Sequence, residues 1–531
     1  MKEKRFLTKD LVLFVPLSLT LSAWFSSLQE GNWLLGFSAF FLLFFLSLIL
    51  LRSSHRWSEG GKKLGLILTL AFAIRLLVGV SLHLALPVYG HEDEDDRAGF
   101  VFTDAHRRDV QAWELASSDS PILNAFSQKF AYDQYGGLLA FSALVYRYFS
   151  PDAHRPLMLV LLSALAGTLG VPFLWRAIGQ VFGERVAFAS AWIFALYPES
   201  ILLGSSAMRE PYLLMFSAMS LWGFVAWRLH AEPVKRKGGQ SAPIWLGFGL
   251  LGMLLISPSI AIITLVLFAG WMFFAQEGRS LPWRAILIFV IIFIAALLFL
   301  SASLDRSGEF ETSSPLRVVN DWLRLAVKWN AYQIERDSGW VQKLFDEMPD
   351  WMRLPFVAVY GIFQPVLPAA FVAPAKVIWK IIYILRALGW YTLLPLLILS
   401  FIAGSGSGFA AKRAHRNVIL WLSLLAWTWI LLSALRGGGD MWDNPRYRTI
   451  LLVWQSMLAG VVWVWWRETR NRWFMRVLAC EGVFLLMFTQ WYLSRYYHIG
   501  GQLPFAVMVA LILGLWGGIL GVGWWLDKSR A

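Results

Sequence analysis

The stretch Phe102-Thr-Asp-Ala-His-Arg-Arg-Asp-Val-Gln-Ala-Trp-Glu-Leu-Ala116 is polar where its surroundings are not, and it places Asp104 in the first long polar loop of a chain that otherwise reads as membrane. A carboxylate held beside a bilayer points to chemistry at the membrane surface. Residues 104-117 read as a short helix lying on that surface, with Arg107 and Arg108 three and four residues beyond Asp104 and therefore able to pair with it, while Asp109 at five residues points elsewhere. Asp104 begins this helix. One reading makes it an N-cap worth about 1 kcal/mol; the other makes it catalytic.

The composition on either side of this loop sets the class. Of 531 residues 58% are apolar, 30 are Trp and only 15% are charged, against about 25% charged in an average soluble chain, and the mean hydropathy is +0.57. Apolar windows of roughly 16 to 24 residues, enough to cross a hydrocarbon core of about 30 Å, occur about fourteen times. They lie near 11-28, 32-52, 64-86, 156-178, 186-204, 208-228, 244-259, 260-275, 284-304, 386-404, 417-435, 449-466, 475-494 and 504-526. The pair at 244-275 reads as two short spans broken near Ser257-Pro258-Ser259, or as one tilted or re-entrant element. The expected fold is thus an all-α integral membrane protein of about 14 transmembrane helices, with two long extracytoplasmic loops that contain short amphipathic helices.

A net charge of +13 would suggest nucleic acid in a soluble protein, but here the basic residues fall in alternate short loops and report orientation. Lys2, Lys4 and Arg5, Arg52 to Lys63, Lys235 to Lys237, Arg279 and Arg284, Lys412 to Arg416, Arg467 to Arg472, and Lys528 with Arg530 share one side. That side is read as cytoplasmic and holds both termini of a multi-pass cell-membrane protein. The opposite side receives the loops at about 87-155 and 305-385 and shorter ones at 436-448 and 495-503, so the active site is expected outside the cytoplasm. Met1-Lys-Glu-Lys-Arg ahead of an apolar run reads as a retained first helix, because no small-residue cleavage site follows. Cys480 is the single cysteine, which excludes an intramolecular disulfide and a cysteine-based metal site. His83, His91, His106 and His154 offer no ligand pair at helical spacing, so no zinc is inferred.

Several of these segments together resemble a family. Ala71-Phe-Ala-Ile-Arg75 in an apolar span, the loop Asp104-Ala-His-Arg-Arg-Asp109-Val-Gln-Ala112, Tyr132-Asp-Gln-Tyr135, Tyr197-Pro-Glu-Ser-Ile-Leu-Leu-Gly-Ser-Ser-Ala-Met-Arg-Glu210-Pro and Asn444-Pro-Arg-Tyr-Arg448 resemble GT-C class membrane glycosyltransferases. The branch is that of the protein mannosyltransferases and lipid A aminoarabinose transferases, and the resemblance runs from about residue 64 to 466. It implies a catalytic core at 64-466, an added N-terminal transmembrane hairpin at 1-63 and a C-terminal hairpin at 467-531. It also implies a polyprenyl-phosphate-linked sugar as donor, and it sets Asp104 at the family's loop Asp. The chain departs from many relatives at Ala105 and Arg108, where they carry a second acid and a Tyr.

Sugar transfer from a polyprenyl phosphate needs a base for the acceptor's proton and positive charge on the departing phosphate. Asp104 is the candidate base or acceptor-orienting group. Glu210 is the candidate second acid, set against an ordinary carboxylate at a helix start with Pro211 in the first turn. Arg446 and Arg448 with Tyr447 are phosphate candidates, or interfacial anchors. Asp109, Arg75 and Arg209 complete the substrate- and phosphate-binding set, with Arg75 open to a structural pairing because it lies inside a span. Arg317, Arg324, Lys328 and Arg336 are further cations in the second long loop, and Tyr360-Gly-Ile-Phe-Gln-Pro-Val-Leu-Pro368 reads as an interfacial segment near the lipid entry. Glu481 and Arg176 read as charges near helix ends. The one cofactor the residues allow for is a divalent cation, Mg or Mn, with Asp104 and Glu210 as its oxygen ligands. The expected partners are the lipid bilayer, the lipid-linked sugar and an acceptor whose identity no short motif reveals. A lipid-linked polysaccharide polymerase or ligase is the enzymatic alternative. A flippase or transporter is the other, and it calls for polar residues strung through the spans at mid-depth, of which there are few.

Overall fold

The computed structural model describes residues 2–127, 136–230, 241–275, 349–405, 413–437 and 443–529, and these are helical with no strand among them. Every expected apolar window within the described residues falls on a helix; the window at 284-304 and the cations at 317, 324, 328 and 336 lie outside them, as does Tyr132-Asp-Gln-Tyr135. Seven helices among the described residues are long and apolar enough to cross a membrane, or eight if one bent pair is a single span, so the expectation of about 14 is met by fewer full-length spans. The chain forms two compact units, Met1–Thr264 with Lys376–Trp379, and Leu265–Ala375 with Lys380–Ala531.

The first unit opens with α1 (Lys2–Ser27), α2 (Trp33–Ser58) and α3 (Gly61–Tyr89). Asn32 starts α2 by accepting from the amides of Leu34 and Leu35, which satisfies two of the donors a helix start leaves orphaned. The first long loop then folds into α4 (Glu94–Arg97), α5 (Thr103–Ser117), a 3-10 turn at Ile122–Phe126 and α6 (Gly137–Phe149). The surface helix read at 104-117 is therefore α5, whereas α6 falls where loop was expected. Next come α7 (Leu157–Phe182), α8 (Glu184–Leu196), α9 (Pro198–Gly204), α10 (Glu210–His230), α11 (Ala242–Ile256) and α12 (Pro258–Phe274), which from Leu265 onward belongs to the second unit. α7 is apolar all round and so belongs inside: 89% of its spanning window is buried, with α2, α3, α8 and α10 packed against it.

Two breaks follow from proline. Pro198 cannot donate to the α8 ladder and pushes Tyr197 to an extended backbone (φ −59°, ψ 120°), so α8 and α9 meet at a 54° bend. Pro258 acts in the same way on Ser257 (φ −160°, ψ 93°) and separates α11 from α12, as the sequence at 257-259 indicates.

The second unit contains α13 (Asp350–Phe363), α14 (Leu367–Val372), most of α15 (Val377–Ser405), α16 (Arg413–Gly437), α17 (Asp443–Thr449), α18 (Leu452–Thr469), α19 (Arg472–Tyr496) and α20 (Phe505–Lys528). α15 begins nine residues before the expected span at 386. Tyr360 to Pro368 straddles the end of α13 and the start of α14, and Val366 and Val372 pack with Trp491, Tyr492, Met508 and Ile512 from α19 and α20. Glu481 is the tenth residue of the 25-residue α19, well inside it rather than at its end. Arg176 rests over the Trp57 ring at 4.7 Å and donates to the Trp57 carbonyl at 2.6 Å.

Candidate functional site

α5 carries the candidate carboxylates of the first long loop, and three anchors fix it. At its start, the Thr103 hydroxyl donates to Asp95 Oδ2 at 2.5 Å and His106 Nδ1 lies 2.7 Å from Asp95 Oδ1. In its middle, Asp109 is wholly buried; the Tyr146 hydroxyl of α6 donates to one carboxylate oxygen and His154 Nε2 stands 2.6 Å from the other. At its end, Arg147 of α6 donates to the carbonyls of Leu115 (2.5 Å), Ala116 (3.1 Å), Ser118 (2.9 Å) and Ser120 (2.8 Å), the oxygens a helix C-terminus leaves unpaired. The buried stripe Ala105, Arg108, Asp109, Ala112, Leu115 and Ala116 recurs every three or four residues and turns Asp104 and Arg107 outward.

Asp104 is exposed in the first turn of α5. Arg108, one turn on, belongs to the buried stripe and donates to the Ala207 carbonyl at 3.2 Å. Ala207 lies in the segment between α9 and α10, three residues ahead of Glu210, which is wholly buried at the start of α10 with Arg209 Nε 3.7 Å from its Oε1. Arg108 thus ties α5 to the segment that leads into Glu210, and Arg209 lies beside that acid.

Arg75 is buried in α3 and donates to Ala71 O at 3.0 Å, Ala195 O at 2.9 Å and Ser200 Oγ at 2.9 Å. Its guanidinium thus holds both sides of the α8–α9 bend, a structural pairing for an intramembrane charge. In the second unit Arg448, 1% exposed, donates to Gln364 O at 2.8 Å, lies 3.5 Å from the carbonyls of Gly361 and Ile362, and stacks 3.4 Å above the Trp390 ring. Those carbonyls end α13, so a cation there meets the negative pole of a helix. Asn444 Nδ2 donates to Gly361 O at 2.6 Å and binds α17 to the same end. Tyr447 lies between two guanidinium groups, Arg436 at 4.4 Å and Arg446 at 5.0 Å from its ring.

The Asp109, His154 and Tyr146 cluster was not assembled by the sequence reading. Trp113 stacks on His154 with ring centroids 5.4 Å apart, and the Tyr146 ring stands edge-on to both. Burial, with Asp109 next, pushes the Tyr146 phenol well above its ordinary range and keeps it a donor. A second buried acid, Asp96, accepts from the His91 amide and from Trp379 Nε1 at 3.1 Å; burial raises its pKa. Among the described residues no group of three or more His, Cys, Asp or Glu side chains is placed to hold a metal ion.

No family model matches the chain, and no curated protein matches it. Among solved structures it is similar to the archaeal oligosaccharyltransferase AglB from Archaeoglobus fulgidus, determined in complex with an inhibitory peptide and a dolichol-phosphate. The likeness covers 87% of this chain and 55% of that one, so this chain spans about half the length of AglB, at 14% identity and a TM-score of 0.34.

Proposed function

We propose that the protein is a multi-pass membrane glycosyltransferase that moves one sugar from a polyprenyl-phosphate carrier to an acceptor on the extracytoplasmic face of the cell membrane, with both termini in the cytoplasm. The observation that carries this reading is the joint at Arg108, which brings the helix of Asp104 against the segment leading into Glu210. Asp104, the exposed acid, takes the acceptor's hydroxyl proton as the acceptor oxygen bonds to the sugar's anomeric carbon. The bond from that carbon to the phosphate oxygen breaks, and the electron pair leaves with the polyprenyl phosphate. Arg107 and Arg209 supply positive charge to the leaving group, and Glu210 is the second acid. Asp104 and Glu210 would be the carboxylates for a Mg or Mn ion, whose remaining ligands water and phosphate oxygens can provide.

The test is transfer from a polyprenyl-phosphate sugar in proteoliposomes. Asp104→Asn and Glu210→Gln should each lower the rate, Asp104→Asn by about 10²–10⁴-fold, and chelation with EDTA reads out the cation. Activity equal to wild type in well-folded Asp104→Asn would remove the assigned role.

A further inference from the structure

The turn between α1 and α2 is inlaid into the last corner of the first long loop. Gly31 holds φ +92°, a conformation that L side chains rarely adopt, and a Cβ there would stand 2.3 Å from the Ala153 Cβ. The Asn32 amide donates to Asp152 Oδ2 at 2.7 Å, and its carbonyl accepts from Arg155 Nη2 at 3.0 Å. Arg155 is 1% exposed and forks onto both Asp152 oxygens at 2.7 Å, a charge-assisted bidentate pair. Gln29 Oε1 accepts from the Leu157 amide at 3.3 Å, and a Cβ on Gly36 of α2 would lie 3.0 Å from Arg155 Nε.

His154 sits between the two residues this turn grips, and its imidazole reaches Asp109 in the middle of α5. The contacts form one unbroken path from Asn32 through Asp152 and Arg155 to His154, then to Asp109 and along the rigid α5 to Asp104. We infer that the N-terminal hairpin is a positioning element for the carboxylate helix. Gly31, Asn32, Asp152, Arg155 and His154 are its positioning residues; none of them is assigned to touch substrate. The inference rests on the proposed function only in naming Asp104 as the group positioned. The bond pattern stands apart from that reading and has its own measurement.

The experiment is hydrogen exchange on the full-length protein in lipid nanodiscs, comparing wild type with Gly31→Val and with the milder isostere Asp152→Asn. Both variants should speed exchange of the α5 amides by about tenfold or more while the interior of α7 keeps its protection. Exchange faster only at residues 29–33, with α5 as protected as in wild type, overturns the inference. If Gly31→Val fails to fold, Asp152→Asn alone decides it. Where wild type transfers sugar, Asp152→Asn should lower kcat and leave the donor KM unchanged, and Asp152→Glu should recover part of the loss. Unchanged kcat alongside a loosened α5 also overturns it. No transfer by wild type with a loosened α5 sinks the proposed function and leaves the positioning role standing.

Discussion

Asp109 and His154 meet at 2.6 Å in the first long loop, and the Tyr146 hydroxyl holds the other Asp109 oxygen. A carboxylate with no exposed surface survives only when both oxygens are engaged, because an unpaired buried charge is costly. Tyr146→Phe leaves one oxygen without its donor at constant shape. It should destabilise the first unit by about 1–3 kcal/mol, read as a lowered melting midpoint by tryptophan fluorescence. His154→Phe keeps the stack on Trp113 and removes the other partner, so it should cost a similar amount. A melting midpoint equal to wild type in both variants would show that the cluster is solvated.

Arg448 separates a structural from a ligand role. Its guanidinium spans the carbonyl end of α13 and stacks on Trp390, and lysine has neither the fork nor the plane to repeat that. Arg448→Lys should therefore destabilise the protein by about 2–4 kcal/mol. Arg446→Lys is the control, since the Arg446 guanidinium lies over Tyr447 instead. Loss of donor affinity at unchanged melting temperature in Arg448→Lys would favour a phosphate contact over the helix-end role.

Asp109 and Arg75 mark what the sequence could and could not disclose. Hydropathy places the helices because an apolar run has few other ways to bury itself, and Pro258 announces a break by the bond it cannot make, whereas Pro198 bends a run read as one span at 186-204. The α5 stripe at 105, 108, 109, 112, 115 and 116 was readable by period, and it already contains Asp109. Its full burial was not legible, since acids are almost never fully buried unless paired and the sequence shows no partner beside it. Its partner His154 lies 45 residues away, and Tyr146 lies in a helix read as loop, so only tertiary structure joins them. Arg75 gave more, because a charge within a span demands a partner; which carbonyl it meets depends on how α3 packs against α8 and α9, which no local pattern specifies.

Acid should weaken the turn that the N-terminal hairpin makes. The Arg155 fork, followed by the Asn32 amide, holds the Asp152 carboxyl at about 2, below its ordinary 3.8. A carboxyl with a lowered folded-state pKa stabilises above its unfolded value and loses that contribution as pH falls toward the folded one. The loss should run from near pH 4 down to about 2. Asp96 works in the opposite sense, because burial raises its pKa and protonation then favours the folded form. Proteolysis of the first long loop across this range should rise in wild type, while Asp152→Asn should be more susceptible at neutral pH and show a flatter acid response. Identical pH curves for the two proteins would deny Asp152 this role.

Arg108 is the remaining lever, because it alone among the arginines of α5 is buried against the segment that leads to Glu210. Arg108→Gln keeps a donor of shorter reach, and Arg108→Met keeps much of the apolar stem with no donor at all. If the joint sets the distance between the two acids, Arg108→Met should lower sugar transfer by about 10²-fold, the loss expected when reacting groups shift by about an ångström. Arg108→Gln should fall between. A double-mutant cycle with Glu210→Gln then separates positioning from stability: coupling in kcat with none in melting temperature is the expected outcome. Strictly additive effects on kcat would mean that Asp104 and Glu210 do not serve one reaction.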